Sequence, residues 1–552
     1  MKISFYLNGL KGKTSIKVNK LFKKENIFNN KMKKNIYYSL TGILILSAIL
    51  LVINLISNYI FLRFDFTDEK IYSLSKASKK IAASLPDKLI IKAYFSKELP
   101  AEYSINKRYL QDLLAEYKTY SKGNVSYEFI DPLAKNETLE EIRQLGIPPV
   151  RFTTLARDKY EIKEGFMGLV FIHGEKKEVI PIVKSMEGME YDITSTIKKL
   201  VAPELKTIGF TAGHSEANET DSEVEAYLKS QYNVKYIDTT KEKEIPKDVS
   251  SLLIVSPKKE FTAKEVFMLD QYLLKGKPIA FLTEKYVANM QSFYASQVIN
   301  GLDGFLEYYG IKIKPALVLD TQCQKIAVRS VQGMFIMQNV VEYQFLPIAT
   351  DIDRTNPITK SMDSLTFAFI SPIEITQKDN FEIKPFVKSS RDSWCTEKVF
   401  SINPFMQTKR TKSDIQGPFT LAVTVLPKPG KKYISYFSDK TPVELAKLAG
   451  NVQIQKESSD LGRMLVLPNS GFIKDNPVLF LNIVDWVSQD EALISIRSKG
   501  SPFRPLKKTS DFVRILVKYL AIFLMPVLVI GYGIYRWKAR NTIKKNLKSL
   551  YA

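Results

Sequence analysis

An uncharged stretch of 28 residues near the N-terminus constrains this chain more than any other feature. It runs from 35 to 62 and reads NIYYSLTGILILSAILLVINLISNYIFL. As an α-helix rising about 1.5 Å per residue it is roughly 42 Å long, which exceeds the roughly 30 Å hydrocarbon core of a bilayer. The sequence therefore predicts a transmembrane helix over 35–62.

A second apolar stretch lies near the other end of the chain. Residues 515–535 read ILVKYLAIFLMPVLVIGYGIY and contain one charge, Lys518, close to the edge of the run. A lysine at such an edge can extend its ammonium to the interface. We therefore expect a second transmembrane helix over 515–535.

The charges beside these stretches predict their orientation. Residues 1–34 contain ten lysines and one acidic residue, and residues 536–552 contain six basic residues and no acidic one. Lys and Arg are enriched on the cytoplasmic side of membrane segments. We expect both basic tails to be cytoplasmic and residues 63–514 to be extracytoplasmic, in a two-pass protein of the bacterial inner membrane. The first span is expected to be an uncleaved anchor, and a start at Met32 would remove the tail 1–31.

Composition excludes several classes of protein. Outside the two tails, 64 basic side chains face 57 acidic ones, so the body has no basic concentration of the kind that binds nucleic acid. Two cysteines and two histidines predict neither a metal centre nor a cofactor site. Cys323 and Cys395 are expected to be structural thiols or a mutual disulfide.

The body shows alternating strand and helix patterns, which indicate an α/β fold. In 63–202 the apolar runs Leu89–Phe95, Val125–Asp131 and Met167–Ile172 predict strands, and a period of 3.6 between the first two predicts a helix. This order favours a thioredoxin-like layer. It carries no CxxC, so thiol redox chemistry is not expected.

A second unit is expected over 203–500, followed by a linker over 501–514. The apolar runs Thr207–Thr211, Ser251–Ser256 and Pro278–Thr283 predict buried strands separated by helices, a pattern typical of a doubly wound, mostly parallel sheet. A doubly wound sheet of this kind is expected to be Rossmann-like or amidotransferase-like. Residues 311–430 look like further edge strands and insertions.

One loop stands out as a candidate ligand- or partner-binding site. Gly213, His214, Ser215 and Glu216 follow a predicted buried strand, and loops at the carboxyl ends of parallel strands form the usual ligand crevice of such sheets. The alternative is a polar turn in which His214 is hydrogen-bonded locally. Ser215 is not in a GxSxG motif, so a hydrolase nucleophile is not expected there, and no catalytic residue is predicted.

Four segments in this order carry a family resemblance, and they are FDFTDEKIYSLS (Phe64–Ser75), GFTAGHSE (Gly209–Glu216), DQYLLKGKPIAFL (Asp270–Leu282) and FLNIVDWVSQDEALISIRSK (Phe480–Lys499). Through them the chain resembles the GldG-type proteins, which are auxiliary membrane subunits of bacterial ABC transporters named for gliding motility. The resemblance covers most of residues 35–535.

The resemblance implies partners and an absence of catalysis. It implies an ABC-2-type permease and a separate cytoplasmic ATPase, and a body in which a thioredoxin-like layer is joined to a Rossmann or amidotransferase-like layer without evident catalytic groups. The GHxE-like turn of these proteins matches Gly213, His214 and Glu216 in this sequence. Because the family also occurs outside gliding bacteria, the resemblance does not establish motility.

The leading interpretation is a noncatalytic transporter subunit whose body captures or guides cargo. Asn54 and Asn58, one turn apart in the first span, are candidate contacts with the permease, since polar groups in lipid gain from a partner. The first alternative is an envelope hydrolase or amidotransferase-like enzyme that uses the His214 and Glu216 loop. The second alternative is a structural envelope scaffold without a cargo pocket.

Overall fold

The computed structural model describes residues 41–52 and 73–551, apart from short gaps at 157–158, 184, 187, 203, 217–221, 333–334, 361, 398–400, 407–409, 411–413, 451–452, 459–461 and 498–510. Contacts divide the chain into two units, Met1–Ser73 and Leu74–Ala552. The predicted N-terminal tail, Asn54, Asn58 and most of the segment Phe64–Ser75 lie outside the described residues.

The first unit contains helix α1, Thr41–Val52. Its sequence TGILILSAILLV is apolar, and every described residue in it is exposed. Twelve residues of helix are about 18 Å long, which is shorter than a bilayer core. The described residues therefore show helix within the predicted first span but do not show the whole of it.

The C-terminal helix is longer than predicted. In numbering by chain order it is α13, Asp511–Tyr551, and it includes Pro526. Within the segment Phe512–Thr542, a window of 18 residues has a mean hydropathy of 2.3 and is not buried. The 31 residues of this segment are roughly 46 Å long as a helix. This helix is long and apolar enough to cross a membrane. It also takes up the end of the predicted linker 501–514 and nearly all of the predicted basic tail 536–552.

The first layer of the body is a four-stranded sheet with helices. Its helices are α2 (Lys76–Ala83), α3 (Ala101–Tyr120), α4 (Asn136–Gln144) and α5 (Met189–Val201), and its strands are β1 (Leu89–Phe95), β2 (Val125–Ile130), β3 (Val150–Ala156), β4 (Lys159–Gly165), β5 (Met167–His173) and β6 (Lys176–Ile180). The sheet order is β2-β1-β5-β6, while β3 and β4 form a separate hairpin. Strand β2 is parallel to β1, and β5 and β6 are antiparallel to their neighbours.

The helical period predicted between β1 and β2 is confirmed in α3. Leu110, Leu113, Leu114 and Tyr117 are all buried in one cluster with Leu89 and other apolar residues of β1. Residues three and four apart lie on one face of a helix, so this face covers the sheet and holds the layer together.

The remaining helices of the body surround a larger sheet. They are α6 (Ser222–Gln231), α7 (Ala263–Leu274), α8 (Asp303–Tyr308), α9 (Pro442–Ala449), α10 (Phe472–Asp475), α11 (Pro477–Val487) and α12 (Glu491–Arg497). The strands up to 320 are β7 (Thr207–Ala212), β8 (Asn233–Asp238), β9 (Val249–Val255), β10 (Ile279–Leu282), β11 (Tyr286–Asn289), β12 (Tyr294–Gln297), β13 (Ile311–Ile313) and β14 (Leu317–Leu319). The later strands are β15 (Cys323–Gln332), β16 (Phe335–Ala349), β17 (Asp351–Ile352), β18 (Leu365–Thr366), β19 (Ile373–Ile375), β20 (Phe381–Lys388), β21 (Trp394–Thr396), β22 (Ile415–Gln416), β23 (Thr420–Pro427) and β24 (Met464–Leu467).

The main sheet has the order β13-β19-β23-β24-β10-β9-β7-β8, with β20 and β17 attached to β23. Strands β8, β7, β9, β10 and β24 are mutually parallel, whereas β23 is antiparallel to β24 and β19 to β23. The fold is therefore mixed α/β. The predicted mostly parallel sheet corresponds to five strands, and the segment FTLAVTV, predicted to be an edge strand, lies inside the sheet as β23.

Both faces of the parallel strands are buried. Along β10, Ile279 and Phe281 belong to one core cluster, and Ala280 and Leu282 belong to another. Successive side chains of a strand point to opposite faces, so helix α7 covers one face and helices α6 and α11 cover the other. This layering leaves the carboxyl ends of the strands as the place where polar loops meet.

Candidate functional site

The candidate loop lies where the strand order reverses. Strand β7 has β8 on one side and β9 on the other, so the chain leaves β7 toward one neighbour and later returns to the opposite one. Loops at the carboxyl ends of two such strands normally flank the ligand crevice of an open parallel sheet. Here they are 213–216 after β7 and 256–259 after β9.

His214 is buried within this crevice and is 2% exposed. Its ring stacks on Phe261, with centroids 3.8 Å apart and an interplanar angle of 12°. Its Nε2 lies 3.1 Å from Oε1 of Glu265, and its Nδ1 lies 3.5 Å from Oε1 of Glu216. The hydroxyl oxygen of Thr239 is 3.4 Å from Nδ1. A buried imidazole thus lies between the buried carboxylate of Glu265 and the partly buried carboxylate of Glu216.

One oxygen of each carboxylate faces the imidazole. Oε1 of Glu216 and Oε1 of Glu265 are both buried, and within the described residues neither accepts a hydrogen bond. A buried carboxylate oxygen is costly unless a positive or hydrogen-bonding group lies beside it. His214 is the ring that both oxygens face, so the three side chains form one interdependent cluster.

The two loops are also joined through their backbones. The N–H groups of Lys258 and Lys259 both donate to the carbonyl oxygen of His214, at 2.8 and 3.0 Å. The N–H of His214 donates to Oε2 of Glu216 at 2.7 Å. The backbone and side chain of His214 are therefore engaged by the protein, and the loops fill the crevice between β7 and β9.

Two residues of the loop adopt positive φ. Gly213 has a φ of +109°, and a Cβ there would lie 2.7 Å from Oδ1 of Asp238, so glycine is required. Ser215 has a φ of +57°, which is uncommon for a residue with a side chain. Ser215 is exposed while His214 is buried, so Ser215 is the side chain that the loop presents to solvent.

Glu265 enters this cluster because it belongs to the first turn of α7. Thr262 caps that helix by accepting the N–H of Glu265, and Oε2 of Glu265 accepts the N–H of Thr262 in return. This reciprocal capping box holds the glutamate in one rotamer, which directs its other oxygen at His214. The T-x-x-E spacing from Thr262 to Glu265 was the sequence signal that could have identified Glu265.

A row of polar residues continues along the carboxyl edge of the sheet. Lys258 contacts Oγ of Ser256 and lies 3.4 Å from Oε2 of Glu284. Oε1 of Glu284 accepts the N–H of Ser470 at 3.1 Å and also its hydroxyl. These residues lie within three positions of the ends of β9, β10 and β24, and the sequence analysis did not identify them although all three strands are apolar.

This arrangement binds loops together rather than exposing a reactive group. Ser256 is fully buried, and its hydroxyl is held by Lys258. His173, the second histidine, ends β5 in the other sheet, with Nδ1 3.1 Å from the carbonyl oxygen of Lys88. Among the residues that the structure describes, no group of three His, Cys, Asp or Glu side chains is placed to hold a metal ion.

The two cysteines are both free thiols. Cys395 in β21 is buried, and Cys323 at the start of β15 is half-buried. Burial raises the pKa of both thiols, which lowers their reactivity as nucleophiles. Of the two expectations for these residues, the structure shows thiols and not a disulfide.

Comparison with known proteins assigns a family to the part of the chain that carries this site. Residues 205–490 match the family described as an ABC-type uncharacterized transport system, and residues 68–172 match a domain of unknown function. The first match covers more than half of the chain. The chain therefore belongs to this family of auxiliary proteins of ABC transport systems.

Individual relatives add little about function. The chain is 28% identical over 373 residues to an uncharacterized protein of Borreliella burgdorferi, with 66% of this chain and 71% of that protein covered. The N-terminal domain of mmIFT52 aligns with 51% of this chain and 97% of its own length at 15% identity and a TM-score of 0.30. A putative ThuA-like protein from Parabacteroides merdae aligns over 56% and 95% at 8% identity and a TM-score of 0.27. Scores this low establish no shared fold.

Proposed function

We propose that this chain is a noncatalytic auxiliary membrane subunit of an ABC transporter complex whose large body binds or guides cargo or partner proteins. The observation that carries the proposal is the family match over 205–490. The same residues form the sheet whose crevice is filled by its own loops, with His214 at 2% exposure. A body that uses its usual ligand crevice for internal packing is better suited to a binding role than to turnover.

The proposed architecture has two membrane helices, 35–62 and 515–535, with both termini cytoplasmic and the body extracytoplasmic. The apolar, exposed helix Phe512–Thr542 supports the second span, and the basic tails support the orientation. The order β2-β1-β5-β6 supports a thioredoxin-like layer over 63–202. The parallel order β8-β7-β9-β10-β24 supports a doubly wound layer over 203–500.

The proposed partners are an ABC-2-type permease and a separate cytoplasmic ATPase. The resemblance to GldG-type proteins supports both, and it makes gliding motility one process to which such a complex could contribute. The membrane helices, including Asn54 and Asn58, would contact the permease. The loop 213–216 would contact cargo or a partner through its exposed residue, Ser215.

Site-specific photo-crosslinking in intact cells tests the proposal. A photoreactive residue replaces Ile522 in α13, Ser215 in the candidate loop, or Lys431, an exposed loop residue after β23 that serves as the control. We expect position 522 to capture an ABC-2-type permease, position 215 to capture an extracytoplasmic protein or cargo, and position 431 to capture neither. Failure of position 522 to capture a permease when the transporter is expressed would refute the proposed role.

The enzyme alternative predicts a different result. It requires a nucleophile beside His214, whereas the described contacts of the ring are with Phe261, Thr239 and two glutamates. A Glu216→Ala variant that keeps the crosslink at 522 but abolishes a measured envelope-hydrolase activity would favour the enzyme. A scaffold without cargo would crosslink from 522 and not from 215.

A further inference from the structure

The start of the body is held by two buried glutamates. Oε2 of Glu116 in α3 accepts the N–H of Leu74 at 2.8 Å. Oε1 of Glu190 in α5 accepts the N–H of Ser75 at 2.7 Å and the hydroxyl of Ser78 at 2.6 Å. Three hydrogen bonds to two buried carboxyl groups therefore attach the first residues of the body to α3 and α5.

The end of the body is held by a buried arginine. Arg497 is the last residue of α12, and its guanidinium lies 2.8 Å from Oδ2 of Asp485 with both side chains at most 8% exposed. It donates to the hydroxyl of Tyr191 at 2.5 Å and to Oδ1 of Asn482 at 2.9 Å. Its charge also lies 4.5 Å from the centroid of the Tyr191 ring, a favourable cation–π distance.

Both attachments converge on the first turn of α5. Glu190 holds the start of the body and its neighbour Tyr191 holds the end. Tyr191, Leu493 and Ile496 form one buried cluster, against which Ala77 of α2 packs. The first helix of the body and its last helix are therefore in direct contact.

We propose that α2, α12 and the first turn of α5 form a clasp that couples the two membrane-side ends of the body to each other. Arg497 joins α12 to Asp485 of α11 through a buried ion pair, which is costly to break, and to Tyr191 of α5 through a hydrogen bond. A shift of α12 therefore disturbs the same turn of α5 whose Glu190 holds Ser75 and Ser78. A displacement of residue 497 would then also displace residues 74–83, because both contact α5. The clasp needs no cargo, so its test does not depend on the proposed function.

The Arg497–Asp485 pair at the end of the body is also coupled electrostatically. Burial raises the pKa of Asp485 to about 6, and the guanidinium of Arg497 opposes that rise. Tyr191, Tyr227 and Tyr232 lie beside the pair, and Asp490 and Lys198 also act on the Asp485 carboxylate. The arginine thus favours the charged form of Asp485, the form that pairs with it.

Hydrogen–deuterium exchange of the full chain in nanodiscs tests the clasp. Tyr191→Phe removes one hydroxyl from Arg497 and keeps the ring. We expect exchange to become about tenfold faster in α12 and also in 74–83, where no residue has changed, because a hydrogen bond to a charged group is lost. Tyr433→Phe is the matched control, since Tyr433 is fully buried and its hydroxyl donates to the carbonyl oxygen of Val425 at 2.9 Å.

The reciprocal variant completes the test. Glu190→Gln weakens the grip on Ser75 and Ser78, and coupling requires it to accelerate exchange in α12 as well, because coupling between two sites is reciprocal. Unchanged circular dichroism spectra establish that both variants are folded. If Tyr191→Phe accelerates α12 alone and Glu190→Gln accelerates 74–83 alone, the two attachments are independent and no clasp exists.

Discussion

His214 shows how far a single residue can be interpreted from sequence. The apolar run Thr207–Thr211 and the following Gly213 predict from the sequence that His214 lies in a loop after a buried strand. Its burial was not predictable in this way, because the groups that surround it, Phe261 and Glu265, are about fifty residues away in the chain. Local pattern predicts where a loop begins, whereas the partners of its side chains depend on long-range packing.

A substitution at Gly213 tests the geometry of this loop. Gly213→Ala should lower the free energy of unfolding by about 1–3 kcal/mol, since a φ of +109° is strained for any L side chain. Denaturant titration of the full chain in detergent measures the change. Gly471→Ala is the control, because its φ is −56° and the nearest atom to an added Cβ is 3.8 Å away. An equal loss in both variants would contradict the loop geometry.

Asp270 provides a prediction for pH. It lies in α7 with its carboxylate accepting hydrogen bonds from Ser435, Tyr436 and Tyr309, yet burial raises its pKa to about 6. An unfolded Asp titrates at about 3.9, so between pH about 4 and about 6 the unfolded state loses this proton first. The contribution of Asp270 to stability is therefore greatest at low pH and decreases as the pH rises through this window.

Comparison with Asp270→Asn isolates that contribution, because asparagine does not titrate. The difference in unfolding free energy between the native chain and the variant should shrink by up to about 3 kcal/mol from pH 4 to pH 6. It should then stay constant above pH 6 to 7. A difference that grows with pH would show that burial does not dominate the pKa of this carboxyl group.

Among the elements, helices with clear caps were the most predictable. The T-x-x-E pattern at Thr262 marks the start of α7, and Gly276, which has a φ of +75°, follows its end. The position of strand β23 was harder to predict, because an apolar run of eight residues is compatible with both an edge strand and an interior strand. Its neighbours β24 and β20 come from distant parts of the chain, so its interior position depends on non-local pairing.

Two capping boxes in this chain differ in the burial of their glutamate, and a pair of variants can measure the effect of that difference on stability. Thr262 and Glu265 cap α7, and Thr441 and Glu444 cap α9 with the same pattern. Glu265 is buried and faces His214, whereas the Glu444 box is exposed. Glu265→Gln should therefore cost about 2 kcal/mol of unfolding free energy, and Glu444→Gln should cost less. Equal losses in denaturant titrations would mean that the contact with His214 contributes nothing.

At the scale of the molecule, the mixed α/β class and the apolar C-terminal helix were predictable because they follow from periodicity and hydropathy. The antiparallel half of the main sheet and the small sheets of 283–416 were not, since they are assembled from short strands. The strongest remaining prediction concerns topology, because it rests on charge asymmetry around two apolar runs. Those charges predict that residues 74–497 and the C-terminal tail lie on opposite sides of the membrane.

Cysteine labelling in intact cells measures that topology directly. In a background of Cys323→Ser and Cys395→Ala, a single cysteine replaces either Lys431 in the body or Ser549 beyond the apolar helix. A membrane-impermeant maleimide that has passed the outer envelope should label position 431 without lysis and position 549 after lysis, because Phe512–Thr542 is long enough to separate the two by a bilayer. Labelling of 549 in intact cells with protection of 431 would invert the orientation. Labelling of both would show that the apolar helix does not cross, and the body would then have to reach its transporter from the membrane surface.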